Sequence, residues 1–141
     1  MLLEAGADTS IKPASGIHPV LYMDTTDLLR MVLEFQPDLD LADRDGDTAL
    51  NAALERDTVR LADMKLLVHA GSNVDTTNTA GWTPLHKAID KDKLDIARFL
   101  RKRGANANAL ALETGAPLHL ACSKASPAAV RLLVDAGANV N

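Results

Sequence analysis

Two histidines, in Pro84-Leu85-His86 and Pro117-Leu118-His119, stand 33 residues apart in matching contexts and are the first candidates for chemistry. A repeated imidazole could ligate a metal, but zinc needs three or four ligands converging on one point. His18 and His69 fall at other local positions and Cys122 stands alone, so no such set assembles. Cys122 falls at a small-residue helix position, which reads as core, and the sequence places no histidine to activate it as a nucleophile. The acidic run Asp43-Arg44-Asp45-Gly46-Asp47 invites calcium, yet the twelve-position loop and its closing bidentate glutamate are missing. Asp43 is expected to shape a turn there, with Asp47 exposed beside it. Asp90-Lys91-Asp92-Lys93-Leu94-Asp95 alternates in sign like a solvated connection, and no phosphate-cradling glycine loop occurs. The expectation is therefore no catalytic group, no metal and no cofactor.

The elements that hold these residues repeat. In the stretch from Asn78 to Asn106, Thr83 caps a short helix begun by Pro84, a turn follows near Asp90 to Lys93, and Leu94, Ile96, Ala97, Phe99 and Leu100 mark a second helix ended by Gly104. Thr48, Thr83 and Ala116 stand 35 and 33 residues apart, and Gly71, Gly104 and Gly137 follow at intervals of 33. Gly81 to Ala88 and Pro117 to Ala121 carry the T-P-L-H-x-A signature of ankyrin repeats most closely, with Asp45-Gly46-Asp47-Thr48-Ala49-Leu50 a looser copy, so the chain resembles that family. The resemblance implies an all-α solenoid of stacked helix pairs joined by short hairpin loops. It also implies that the imidazoles of His86 and His119 hydrogen-bond backbone near a hairpin and tie one repeat to its neighbour. Leu50, Leu67, Leu85, Leu100, Leu118 and Leu133, with Gly71, Pro84, Gly104, Pro117 and Gly137, are the expected structural residues.

Taken in order, residues 1–12 reproduce the end of a unit without its beginning, as in a segment cut from a longer array. Residues 13–42 form a divergent first repeat. Its Pro19 lies only 17 residues before Gln36, so a turn is lost around Met23 to Thr26, and Gln36 must accept a left-handed conformation or reroute the chain. Leu28, Leu29 and Val32 mark the inner face of its second helix. Residues 43–77 form the second repeat, where the extra length is expected to bulge into solvent at Glu55 to Val59. Residues 78–110 and 111–141 form the third and fourth. In the fourth, Thr114 replaces the tip glycine and Gly115 comes one position later, so that tip should differ in shape, while Val130 and Leu133 should keep partly exposed faces.

Composition adds limits. One Trp, one Tyr and two Phe leave the core to Leu, Val, Ile, Met and Ala. The net charge of −4, with both signs mixed, offers no basic stripe for phosphates and argues against nucleic acid. A lone cysteine, no long apolar run and no signal-peptide pattern predict an intracellular, cytoplasmic chain with no membrane insertion.

What remains is a surface. The expected concave side presents Tyr22, Arg44, Asp45, Asp47, Arg56, Trp82, Lys87, Lys91 and Glu113, together with Leu112, Leu120 and neighbouring positions. Trp82 would anchor a partner or else cover aliphatic stems of the adjacent tip. The outer residues Asp95, Arg98, Arg101 and Lys102 read as long, solvated and costly to order. The function that follows is binding of another protein or of another domain of the parent protein. The alternative is a structural or regulatory segment whose catalytic or signalling domain lies elsewhere.

Overall fold

Helices of five to nine residues, the lengths this sequence encodes between its prolines and glycines, are marginal alone. Nucleation is costly, and isolated helices below about 12–15 residues do not recover it. They persist only by stacking. The computed structural model describes residues 26–36 and 38–139. Among these are seven helices: α1 (Thr26–Leu33), α2 (Ala49–Ala53), α3 (Leu61–His69), α4 (Pro84–Asp90), α5 (Leu94–Lys102), α6 (Pro117–Ser123) and α7 (Pro127–Asp135). No strand occurs among the described residues, only an isolated antiparallel bridge between Ala111 and Gly115. The architecture is the expected all-α stack. Helices α2, α4 and α6 pack side by side in one layer, α1, α3, α5 and α7 in a second, and α2/α3, α4/α5 and α6/α7 form the pairs.

Local chemistry sets the ends of each helix. The Thr83 hydroxyl accepts the His86 N–H and Pro84 supplies the first turn, while the Ser126 hydroxyl accepts the Ala129 N–H ahead of Pro127. Thr48 precedes α2 but makes no side-chain cap; its hydroxyl bonds that of Thr76 at 3.1 Å. Gly71, Gly104 and Gly137 all have positive φ and close the second helices in one way. In the third unit the Gly104 N–H bonds the Arg101 carbonyl and the Ala105 N–H bonds that of Leu100, which satisfies carbonyls the helix leaves open. Asp92, Ala125 and Gln36 take the same left-handed conformation without being glycine. Gln36 thus meets the first of its two expected alternatives.

The core is a run of leucines. Leu50, Leu67, Leu85, Leu100 and Leu133 are at most 1% exposed, Leu118 is buried, and Pro84 and Pro117 lie inside the helix layer. Leu133 was expected to stay partly open, but it points back into the stack; Val134 takes the exposed position. In α1, Leu29 and Val32 are buried while Leu28 is turned outward. Cys122 is exposed because Ala121, one residue earlier, takes the buried place on α6. The expected remnant helix at 1–12, Pro19, and most of the shortened connection at 23–26 lie outside the described residues.

The extra length of the second repeat does fall between its helices. Leu54 to Arg60 separate α2 from α3, where Lys91 to Lys93 and Lys124 to Ser126 suffice in the next two pairs. That loop is not a free bulge. Val59 is buried, the Asp57 carbonyl accepts Lys93 Nζ at 3.3 Å, and Glu55 reaches Lys87.

Candidate functional site

The hairpin tips are built from one hydrogen-bonding scheme. Asp43 Oδ1 accepts the N–H groups of Asp45 and Asp47, and Asn78 Oδ1 accepts those of Ala80 and Trp82, all at 2.9–3.0 Å. Gly46 and Gly81 take the positive φ that such a turn requires. In the fourth unit Ala111 has no side-chain acceptor, so the turn closes by backbone alone and its glycine shifts to Gly115, which gives the different shape expected.

The tips are also joined to one another. The Asp45 carbonyl accepts both the Thr79 N–H at 2.9 Å and the Thr79 hydroxyl at 3.0 Å, and the Ala80 carbonyl accepts the Leu112 N–H at 3.0 Å. This fixes a continuous row. Arg44, Asp45 and Glu113 stand exposed on it, as expected, and Leu110 and Leu112 are 75% and 80% exposed. Leu112 was expected on this surface; Leu110 was missed, since an apolar residue just before a tip reads as core by composition.

Trp82 is half-buried. It packs against the core, with its ring centroid 6.1 Å from that of His86 and a 32° tilt between the rings.

Two expected contact residues are not on the surface at all. Lys87 is 3% exposed and Asp47 is 9% exposed, and Lys87 Nζ donates to Asp47 Oδ2 at 2.9 Å and to Glu55. A lysine on the first helix of one unit is drawn over the preceding unit because two carboxylates meet it there, which offsets its desolvation. Asp47 Oδ1 stays buried without a partner among the described residues. Leu120, also expected to be exposed, is buried in the helix layer. Arg56 and Lys91 are half-buried, with Lys91 3.8 Å from Glu55. Lys124 and Asp90 repeat that pairing one unit on, at 3.1 Å. Tyr22 lies outside the described residues.

His86 does what the resemblance implied. Its Nδ1 accepts from the Thr83 N–H and hydroxyl at 3.2 and 2.9 Å, which leaves Nε2 as the donor to the Gly115 carbonyl of the next unit at 2.9 Å. Burial lowers its pKa from 6.5, partly opposed by the bond to Gly115. His119 keeps only the local half, Ala116 N–H to Nδ1 at 3.0 Å; its side chain is exposed because no following tip covers it among the described residues. A second ladder went unread in the sequence. Asp40, Asp75 and Asn108 side chains accept the N–H groups of Asn73, Asn106 and Asn139 in the next unit. The signal was present as Asp38-x-Asp40, Asn73-x-Asp75 and Asn106-x-Asn108 at the repeat spacing.

Among the described residues no group of three or more His, Cys, Asp or Glu side chains could hold a metal ion, and no helix is long and apolar enough to cross a membrane. A family model described as ankyrin repeats (3 copies) matches residues 17–111 and 60–141. The chain is 32% identical over 145 aligned positions to the putative ankyrin repeat protein YahD of Escherichia coli strain K12, covering 97% of this chain and 72% of that protein. It is 38% identical to human Rabankyrin-5 over 81% of this chain and 11% of that protein, and 32% identical to an intracellular phospholipase A2 of Caenorhabditis elegans over 88% and 12%. In those two longer proteins the chain spans only about a tenth of the length.

Proposed function

Because the chain belongs to the ankyrin-repeat family, whose repeats are protein-interaction modules, we propose that it is a non-enzymatic binding module that holds another protein, or another domain of its parent, against its row of hairpin tips. The observation that carries this reading is the row itself. Tips of consecutive units are hydrogen-bonded side by side, and they present exposed Leu110 and Leu112 next to the half-buried Trp82, with Arg44, Asp45 and Glu113 around them. An apolar centre with a charged rim is the pattern of a protein interface, and tryptophan is enriched among residues that dominate binding energy. Asp47 and Lys87 belong to the scaffold in this reading; Arg56 and Lys91 flank the surface. The division into repeats at 13–42, 43–77, 78–110 and 111–141 is part of the same proposal, as is an intracellular location.

The test is a photo-crosslinking residue placed at Leu112 and, separately, at exposed Lys65 on the second-helix side. Crosslinks to one protein partner are expected from 112 and not from 65. With that partner in hand, Trp82→Ala is expected to weaken binding by about 1–4 kcal/mol in calorimetry while Lys65→Ala leaves it nearly unchanged. The reverse order would move the interface to the outer face.

A further inference from the structure

The outer side of the last two helix pairs carries unneutralised positive charge on a chain whose net charge is −4. Arg98, Arg101 and Lys102 recur at i, i+3 and i+4 on α5 and so share a face, and Arg131 joins them from α7. These four line a cavity of about 660 Å³ between the two helices, with Leu132 and Asp135 also in its wall. Four cations against one carboxylate give the groove a local charge of about +3. Lys91 and Lys124 meet carboxylates of a neighbouring unit, but Arg98, Lys102 and Arg131 meet none among the described residues. Arg101 is not the solvated side chain its position suggested. Its guanidinium donates to the Ala105 carbonyl and, at 2.6 Å, to that of Ala136, so the charge is pinned across two units without being cancelled.

We propose that this groove binds an acidic segment of a protein, an extended peptide that turns two carboxylates and an apolar side chain to the same face. Arg98 and Lys102 lie about 6 Å apart along the helix axis, from the 1.5 Å rise per residue. Alternate residues of an extended chain repeat at about 6.6 Å, so carboxylates two residues apart reach both. Pro127 and Leu132 give the groove an apolar floor, and a cavity of this size accommodates side chains. The cations are spread along two helices and do not converge on a point, so a small inorganic anion would engage them poorly. They are also confined to one groove, and nucleic acid would need a longer track. This second surface lies on the second-helix side and does not depend on the reading of the tips.

The experiment uses the full chain and a fluorescein-labelled Glu-Leu-Glu-Glu-Leu-Glu peptide, followed by anisotropy, with a Lys-Leu-Lys-Lys-Leu-Lys peptide as the charge control. Saturable binding of the acidic peptide alone is expected, weakening as salt is raised. The double change Arg98→Glu with Arg131→Glu, both exposed and neither in the core, is expected to lower affinity about tenfold or more with the circular dichroism spectrum unchanged. Trp82→Ala is expected to leave it intact. The proposal is overturned if the acidic peptide fails to bind, if the double variant binds as wild type, or if Trp82→Ala is the variant that loses binding. It is equally overturned if a single-stranded RNA or a phosphatidylserine vesicle binds the same residues and displaces the peptide at far lower concentration.

Discussion

Replacing Lys87 with methionine removes a charge while keeping most of the aliphatic stem, and it isolates what the buried ion triad contributes. The Lys87 side chain is 4% exposed, Asp47 11% and Glu55 53%. The two carboxylates therefore respond differently. Glu55 can turn into water, and its share is that of a surface pair, about 0–1 kcal/mol. Asp47 cannot. Its Oδ1 already lacks a partner among the described residues, and losing the 2.9 Å bond from Lys87 Nζ would leave the other oxygen unpaired among them as well. Removing one member of a buried pair costs about 3–5 kcal/mol, a large part of the roughly 5–15 kcal/mol that holds a domain together. Urea unfolding followed by far-UV circular dichroism at pH 7 measures the loss. Adding Asp47→Ala to Lys87→Met removes the stranded carboxylate, so the double variant is expected to be less destabilised than the sum of the singles by about 2–3 kcal/mol. A Lys87→Met unfolding free energy within about 1 kcal/mol of wild type would place the triad in effective contact with water and refute the reasoning.

Leu85→Ala and Leu100→Ala, at fully buried positions between units, are each expected to cost about 2–5 kcal/mol in the same assay; melts that overlay wild type would contradict their place in the core. Because burial lowers the His86 pKa below 6.5, the folded state binds fewer protons than the unfolded chain, so stability is fully present above that value and is lost as pH falls through the window beneath it. Chemical denaturation across that window should show a decline that His86→Gln largely abolishes. Gly81→Ala and Gly104→Ala both force a side chain into positive φ, at about 1–2 kcal/mol. Only the first also drives a Cβ to 3.1 Å from the Ala111 backbone, so its thermal melt is expected to fall further.

The repeat was legible because each boundary has a local cause. Pro84, Pro117 and Pro127 open helices, Gly71, Gly104 and Gly137 close them, and the leucines between keep the helical period. The turn at Asp92 was legible in the run from Asp90 to Lys93, but the stop at Ala125 was not, since alanine does not favour the left-handed conformation it adopts there. The surface was read less well. Arg44, Asp45 and Glu113 are exposed where local pattern put them, but Lys87 and Asp47 are buried by a carboxylate and an amine 40 positions apart, a pairing that exists only after units stack. Leu120 failed for a related reason: its position corresponds to Lys87, and it is buried on α6, which packs against α4 of the unit before it.

The seven-residue connection from Leu54 to Arg60 has a consequence for how the array comes apart. In a linear stack, each joint opens according to its own strength, and identical joints would let the structure unzip from either end with no preferred stopping point. Here the connection leans forward and clasps the third unit through Glu55 and the Asp57 carbonyl, while Asp47 holds the same lysine from beside it. The second and third units are thereby riveted into one block. Beyond the packing of α6 on α4 and α7 on α5, the fourth is attached through an imidazole, a tip bond, a surface ion pair, a clamped arginine and an asparagine rung. Amide hydrogen exchange is accordingly expected to report two tiers of protection, with α6 and α7 opening as a unit before α2 to α5 let go.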